Sequence, residues 1–517
     1  MNDIKKKTES FKQHLEEAKD YLIQHLSKGP TSDASVHIYT HLDADGLTAG
    51  AILGKALFRA NISFQITVLK QLEREEIIKL SKRVKKSHNF LIFSDFGSGQ
   101  YKVLLKYLKE IPFLVLDHHL PQDVEDNTQT KKIQKIFKKT RPWHLNPYFF
   151  GFNGSLEVSG SGMAYFFVKI LNEENKDLSS VALIGATGDI QTKGENKSFT
   201  GLNEIILKDA KDLNLIEISD DLNFSSIKPL NEAIAYSSEI NLPGLTNNAN
   251  KSLKFLQQLG ILMENADGKI RTLSDLTKDE KQKISSAIIE YATLKLDIEP
   301  QEIIEDLIIN RYLLRKEKNY SDLYDCKEFA NVLNACGRTN SASLGIAIAM
   351  GDRTNAYKKA KQNQKEYKKS IMKALNWLKK NEIIKQKEFI QYFFGEEVIT
   401  ENIVGTVASM LIFSDSEIID KNKPIIGLAE RVEENVFKIS ARANRSLVEK
   451  GVNLSEVLRE ACKLSEIDVL GGGHPPAAGT KIPTDTADLF LKKCNLVVKK
   501  QLMDRNKEIK KETEMVR

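Results

Sequence analysis

The sequence predicts an α/β protein with a doubly wound parallel sheet, a helical connector and a smaller C-terminal α/β domain. Three observations carry this reading. Residues 35–190 repeatedly present a short β-rich run followed by a helical stretch. Those runs are apolar throughout, as strands covered by helices on both faces are. Mixed α/β character then returns after residue 403.

Each element follows from its local pattern. The N-terminal MNDIKKKTESFKQHLEEAKDYLIQHL reads as an amphipathic helix without a signal-peptide core. SVHIYTH (35–41) is β-branched and apolar, and DADGLTAGAILGKALFRA after it has helical apolar spacing. ISFQITVL (62–69) is the next strand, followed by a charged helix over 71–86. NFLIFSDF (89–96), a short helix near 99–109 and FLVLDHH (113–119) continue the alternation. VALIGATGDI (181–190) is a further apolar segment, read as one more tip of the same sheet, with Asp189 at its end.

Residues 200–320 read as helical and charged, broken by turns such as NLPGLTNNANKS (241–252). A Lys-rich helix is expected through 355–392 as a spacer. Beyond it, 403–413 and 452–464 read as helices, 424–430 and 435–443 as strands, and 484–511 as an increasingly basic helix. The domains expected are therefore an N-terminal extension (1–33), a catalytic domain (34–250), a helical connector (251–390) and a C-terminal substrate-binding domain (391–517).

Composition narrows the class. With 41% hydrophobic and 28% charged residues, the chain is that of a soluble globular protein. No apolar run reaches the ~18 residues of a membrane span, so no membrane partner is expected. Cys326, Cys336, Cys462 and Cys494 fall at no C-x-x-C spacing, which argues against a zinc site or a disulfide scaffold and for a cytoplasmic home. The net charge of +6 is compatible with a nucleic-acid partner without establishing one.

In a doubly wound sheet, ligands sit at the carboxyl ends of the strands. His41, Asp43 and Asp45 follow the first strand, Asp95 ends the third, and Asp117, His118 and His119 end the fourth. One Asp at a strand end is often only a helix cap; four such tips together are not. Carboxylates mixed with imidazoles suit Mn²⁺ or Zn²⁺, and a set this size can supply two ions sharing one carboxylate. Such a pair can activate a water and stabilise both oxygens of an in-line displacement at phosphorus. Neither a G-x-S-x-G elbow nor a Walker A lysine is present.

THLDADG (40–46), SDFGSG (94–99), LDHH (116–119) and TGDI (187–190), in that order, resemble the four motifs of the DHH phosphoesterase superfamily. SARAN (440–444) and GGGHPPAAG (471–479) resemble its associated C-terminal domain. EFANVLNACGRTNSASLGIAIAMGD (328–352) is similar to the connecting segment of RecJ-type exonucleases, archaeal RecJ-like proteins especially. The resemblance implies that His41, Asp43, Asp45, Asp95, His118 and Asp189 are metal ligands, with Asp95 bridging two ions. His119 would contact the scissile phosphate and Asp117 would orient a neighbour. Many members open the first motif with Asp where this chain has His41.

In the C-terminal domain the resemblance implies substrate contacts from Arg442, Gly471, Gly472, Gly473 and His474. Three glycines let backbone N–H groups approach a phosphate, and guanidinium pairs with it well. Arg338 in LNACGR is a weaker backbone contact. His144, in a loop beside Trp143, is weighed as a substrate contact, and Phe149, Phe150 and Phe152 as base-stacking platforms or, with greater weight, core.

The function expected is a metal-dependent exonuclease on single-stranded DNA or RNA, using two divalent ions, Mn²⁺ before Mg²⁺. An oligoribonuclease or dinucleotide phosphodiesterase is the alternative. A docking protein of the replisome is the third reading, because archaeal relatives associate with the GINS complex.

Overall fold

The computed structural model describes residues 2–27, 35–84, 89–121, 144–237, 240, 242, 244–246, 248–296, 299–319, 321–413, 418–468 and 472–516. The chain divides into two compact units, residues 1–363 and 364–517.

In the first unit, β1 (Ser35–His41), β2 (Ser63–Leu69), β3 (Asn89–Ser94), β4 (Phe113–Leu116) and β5 (His144–Leu145) form a wholly parallel sheet. Their order is β2-β1-β3-β4-β5. The chain leaves β1 toward one edge and returns to the other side for β3, so the switch point lies between those strands. The helices are α1 (Asn2–Leu26), α2 (Ala44–Arg59), α3 (Arg74–Val84), α4 (Tyr101–Tyr107), α5 (Gly160–Leu171), α6 (Ser179–Gly188) and α7 (Leu202–Asp212).

The period of two along each strand sorts its side chains between two cores. Val36, Ile38, Phe90, Ile92, Leu114 and Leu116 join Leu53 of α2, Met163 of α5 and Leu183 of α6. Tyr39, Leu91, Phe93, Phe113 and Val115 join Ile77 of α3 and Leu104 of α4 on the opposite face. Both faces being covered explains the uninterrupted apolar runs.

Phe149, Phe150 and Phe152 lie in the first core, where Phe11 of α1 meets Phe150 and Phe152 edge-on at 5.3 and 6.4 Å between ring centroids. They are core residues. Trp143 lies outside the described residues.

The structure corrects three readings of secondary structure. VALIGATGDI is helix α6, not a strand tip, and Asp189 is its C-cap. A short apolar run cannot by its period be told from a buried strand. Its glycine decides the matter in space. A Cβ on Gly185 would stand 2.2 Å from Ser161 Oγ and 2.3 Å from Thr48 Oγ1, so α6 crosses α5 and α2 at close range.

Residues 200–320 hold an antiparallel ribbon besides helices, β6 (Ile216–Leu222) against β7 (Ile308–Leu314). The chain between these strands forms α8 (Leu230–Ala235), α9 (Ala249–Gln258), α10 (Lys278–Leu296) and α11 (Pro300–Leu307), with a core of its own that includes Ile234, Leu256 and Ile288. After the ribbon come α12 (Cys326–Arg338), α13 (Ala342–Met350) and α14 (Asn355–Lys380). The spacer helix expected to residue 392 stops at Lys380, and Glu382 turns the chain with a φ of 49°.

The second unit is a six-stranded sheet in the order β12-β13-β11-β10-β9-β8. Its strands are β8 (Lys385–Gln386), β9 (Gln391–Phe394), β10 (Ile425–Arg431), β11 (Val436–Arg442), β12 (Gly472–His474) and β13 (Ala477–Pro483). Ile426, Leu428 and Ile439 face α17 (Leu454–Leu464) and α18 (Ala487–Val516). Phe393 and Ile425 face α15 (Val404–Ile412) on the other side. The short helix α16 (Arg445–Glu449) follows β11.

His144 is structural. It is buried at β5, stacks on Tyr101 at 4.3 Å between centroids, and sits with Nε2 2.7 Å from Ser98 Oγ. Burial lowers its pKa to about 4. The unfolded chain, with an ordinary imidazole near 6.5, then takes up a proton that the folded chain refuses. Stability at pH 7 is therefore untouched, and acid erodes it between pH 6.5 and 4 by about 3 kcal/mol at most. Urea unfolding across that range should show the decline, and His144→Gln should flatten it. An equally steep decline in the variant would contradict the assignment.

Candidate metal centre

The carboxyl ends of β1, β3 and β4 and the C-terminus of α6 bring His41, Asp43, Asp45, Asp95, His118, His119 and Asp189 to one place. Their ligand atoms form three overlapping groups, one of them Asp95, His118 and His119. His41, Asp43 and Asp95 offer atoms within 4.8 Å of one another, and so do Asp45, His118 and Asp189. Asp95 faces both. Its Oδ2 is 3.7 Å from His41 Nδ1, and its Oδ1 is 3.2 Å from His118 Nε2.

Each side chain is aimed by its own local constraint. Asp43 is the N-cap of α2, its carboxylate accepting from Gly46 N at 3.0 Å. Asp45, in the first turn, accepts from Gly160 N at 2.6 Å and Ser161 N at 3.0 Å, the opening N–H groups of α5. A helix N-terminus is a natural anchor for a carboxylate. Asp95 has a φ of 63°, a conformation that costs a non-glycine residue energy and is held only where the surroundings insist. Its N–H is fixed to Leu116 O on β4 at 2.9 Å.

His118 donates through Nδ1 to Gly154 O at 2.7 Å, which leaves Nε2 facing the acids. The Gln191 amide donates to Asp189 at 2.8 Å and to Gly154 O at 2.8 Å, and Asn203 holds Gln191 in turn at 2.7 Å.

Asp117 takes a different part. It is fully buried and accepts from Ser98 N at 2.8 Å and from His119 Nδ1 at 2.8 Å. Asn146 ties the same loop down, donating to Ser98 Oγ and to His119 O at 2.9 and 2.8 Å. His119 is thereby clamped by one nitrogen while its side chain stays 57% exposed.

The electrostatics follow from four acids in a confined space. Burial pushes the Asp95 carboxyl well above its usual range, and Asp45 and Asp43 push it further. Both its oxygens are buried without a hydrogen-bond partner. Asp189 is raised to about 6 by burial and, less, by Asp45, against the pull of His118. Burial would raise Asp43 too, but the hydrogen bond and charge of His41 hold it at about 2. Burial would lower His119, but Asp117 outweighs it and raises the imidazole to about 9. Unpartnered oxygens on a buried acid, ringed by acids and imidazoles, are the donor set of hard-to-borderline divalent cations.

Several contributors were not singled out from the sequence. In the LNACGR segment, Asn334 accepts from Ala44 N at 2.9 Å, between the first-motif acids. A Cβ on Gly337 would fall 2.0 Å from Leu42 O. That segment therefore braces the THLDADG loop, whereas Arg338 is exposed in the last turn of α12. Gly160 passes so close that a Cβ there would meet Asp95 Oδ1 at 2.4 Å.

In the second unit, GGGHPPAAG is a tight hairpin of β12 and β13 rather than a loose loop. Gly471 lies outside the described residues. His474 pairs with Ala477, and Ala477 with Arg442, so these three stand in one row across the sheet. Directly paired residues share a face, with alanine the small member between the other two. Arg442 Nε donates to Ser409 Oγ at 2.8 Å. Arg445 is exposed and pairs with Glu449 at 2.9 Å.

Comparison with known proteins agrees with this layout. A family model for the DHH family N-terminal domain matches residues 35–188, one for the DHH-CID domain matches 225–308, and one for the DHHA1 domain matches 386–500. An uncharacterized protein of Methanocaldococcus jannaschii is 32% identical over 468 residues, spanning 90% of this chain and 94% of that one.

Among solved structures, CDC45 from Entamoeba histolytica is similar at a TM-score of 0.61 and 14% identity, covering 93% of this chain and 99% of that one. The exonuclease RecJ bound to manganese is similar at a TM-score of 0.51 and 16% identity, with 94% of each chain covered. Three family models in order, a relative matched over 90% of the chain and the four acid–imidazole motifs assembled in space place the chain in the DHH phosphoesterase family, with a fold like that of RecJ.

Proposed function

We propose that the chain is a metal-dependent exonuclease that hydrolyses terminal phosphodiester bonds of single-stranded DNA or RNA. The observation that supports it most is Asp95, buried, without a protein hydrogen bond on either oxygen, and facing an acid–imidazole group on each side. In this reading His41 and Asp43 would hold one divalent ion, Asp45, His118 and Asp189 would hold another, and Asp95 lies where it could serve both. Two such ions supply Lewis acidity for the attacking water and for the leaving oxygen of an in-line displacement. The two imidazoles favour Mn²⁺ over Mg²⁺.

The chain's own groups do the rest. Asp117 holds His119 by Nδ1 and keeps the ring protonated at neutral pH, leaving Nε2–H to meet the negative charge that grows on the phosphate. Gly160 N and Ser161 N fix both oxygens of Asp45, so that acid needs no rearrangement to bind a cation. Arg442, His474, Gly472 and Gly473 are read as grips for neighbouring phosphates, with Arg338 a further contact.

The full set of acids and imidazoles favours catalysis over a docking role alone. Association with replisome proteins such as GINS belongs to the same reading as an additional role. No described helix is long and apolar enough to cross a membrane. Four free, buried cysteines fit the cytoplasmic setting proposed.

Purified protein with Mn²⁺ should shorten end-labelled single strands stepwise. Asp95→Ala should lose several kcal/mol of charge stabilisation, a rate loss on the order of 10³-fold or more. Cleavage of dinucleotides alone would contradict the exonuclease reading, and an active Asp95→Ala would contradict the site. Gly160→Ala is a subtler probe, because its methyl group would press on the Asp95 carboxylate. It should weaken Mn²⁺ binding by about 10–100-fold, as displaced ligand supports do, with the circular dichroism spectrum retained. Wild-type affinity in that variant would refute the close approach.

A further inference from the structure

A cavity of about 270 Å³ lies in the first unit among the C-terminal part of α2, the opening of α6, β7 and the turns after β7 and α13. Leu178, Val181, Ile184, Leu314 and Phe329 form its apolar walls, and Lys55, Lys316 and Arg353 bring cations to it. At ~30 Å³ per water it has room for about nine waters. It falls just below the ~300 Å³ at which small-molecule pockets usually begin.

Charge pairing in this cavity is incomplete in one direction. Two acids line it, Asp177 and Glu317. Both are already taken by guanidinium groups. Arg59 grips Asp177 through two bonds of 2.7 Å, and Arg353 grips Glu317 through Nε at 2.9 Å and through its second nitrogen. The two ammonium groups are left over. Lys55 Nζ donates only a long bond, 3.3 Å, to Met350 O. Burial lowers the Lys55 pKa, and Arg59, Lys316 and Arg353 press the same way against Asp177. The arginine of one pair also lies over the Phe329 ring, 5.2 Å from its centroid, so cation and apolar wall are fixed side by side.

We propose that this cavity binds a phosphorylated small molecule, its phosphate held by Lys55 and Lys316 beside the Arg353 guanidinium and its apolar part against Phe329 and Leu314. Phosphate suits two ammonium groups beside a guanidinium whose plane is already oriented by a carboxylate. The opening turn of α6, with Ser180 and Val181 on the wall, adds the positive end of a helix. This site is distinct from the metal centre. Along α2, Lys55 is ten residues beyond Asp45, about 15 Å away at 1.5 Å per residue. Along α6, the pocket takes the start of the helix and Asp189 caps its end. A ligand there would touch, at their other ends, both helices that present metal-centre acids.

The test is titration calorimetry of the full chain in EDTA, with inorganic phosphate and adenosine 5′-monophosphate as separate probes. EDTA removes the divalent ions through which the metal centre would bind either probe. One binding event is expected at this cavity, separate from any at the second unit. A tighter fit for the nucleotide would assign the apolar walls to a nucleoside, and equal affinities would make the site one for phosphate alone. Lys55→Met and the exposed Lys316→Glu should each weaken binding at least tenfold, with melting temperatures near wild type. Lys450→Ala, in the second unit, should leave it unchanged. Failure of both probes to bind, wild-type affinity in the Lys316→Glu variant, or loss in Lys450→Ala would overturn the proposal. None of these results depends on hydrolysis, so the outcome is separate from that of the exonuclease assay.

Discussion

Mutual repulsion among Asp43, Asp45, Asp95 and Asp189 is the constraint to which the rest of the first unit answers. Four carboxylates this close are tolerable in a fold only when cations or donors offset them. The protein supplies donors to three. Gly46 N serves Asp43, the α5 N-terminus serves Asp45, and Gln191 serves Asp189. Asp95 receives none on its carboxylate, although it is as deeply buried as Asp45. The fold thus concentrates its unsatisfied negative charge on the one acid that faces both ligand groups. The strained φ of Asp95 belongs to the same arrangement, because backbone strain persists where function fixes the geometry.

The doubly wound sheet is what makes that concentration reproducible. Parallel strands deliver their carboxyl ends to one edge, and the switch between β1 and β3 opens a crevice there. Packing then sets the tolerances. Glycines at 160 and 185 let α5 and α6 approach the acids more closely than any side chain would allow. The LNACGR helix braces the first motif from a remote part of the chain, which gives the connector a physical reason to accompany the catalytic motifs. In the second unit the same logic appears as register: β12, β13 and β11 set His474, Ala477 and Arg442 in one row.

Much of this was legible in the sequence because it is local. Apolar runs ending in acids mark β1, β3 and β4, and the order of the motifs identifies the family. Asp189 stands at the end of an apolar segment whose secondary structure was misread, since so short an apolar run carries no period that separates strand from helix. What could not be read is what arrives from far along the chain. Asn334 reaches Ala44 across 290 positions, and Gly160 reaches Asp45 across 115. The β6–β7 ribbon escaped for the same reason, because its strands pair across a whole helical insertion. The SGSG run at 159–162 and the Gln two residues after Asp189 are local hints of the donor network.

The most direct measurement is metal stoichiometry. Chain stripped with EDTA, equilibrated with Mn²⁺ and freed of excess metal by desalting should retain two ions per chain by elemental analysis, and the Asp95→Asn chain should retain fewer than one. A wild-type chain that holds no manganese, or an Asp95→Asn chain that still holds two, would contradict the account of Asp95 as the shared acid of a two-ion centre.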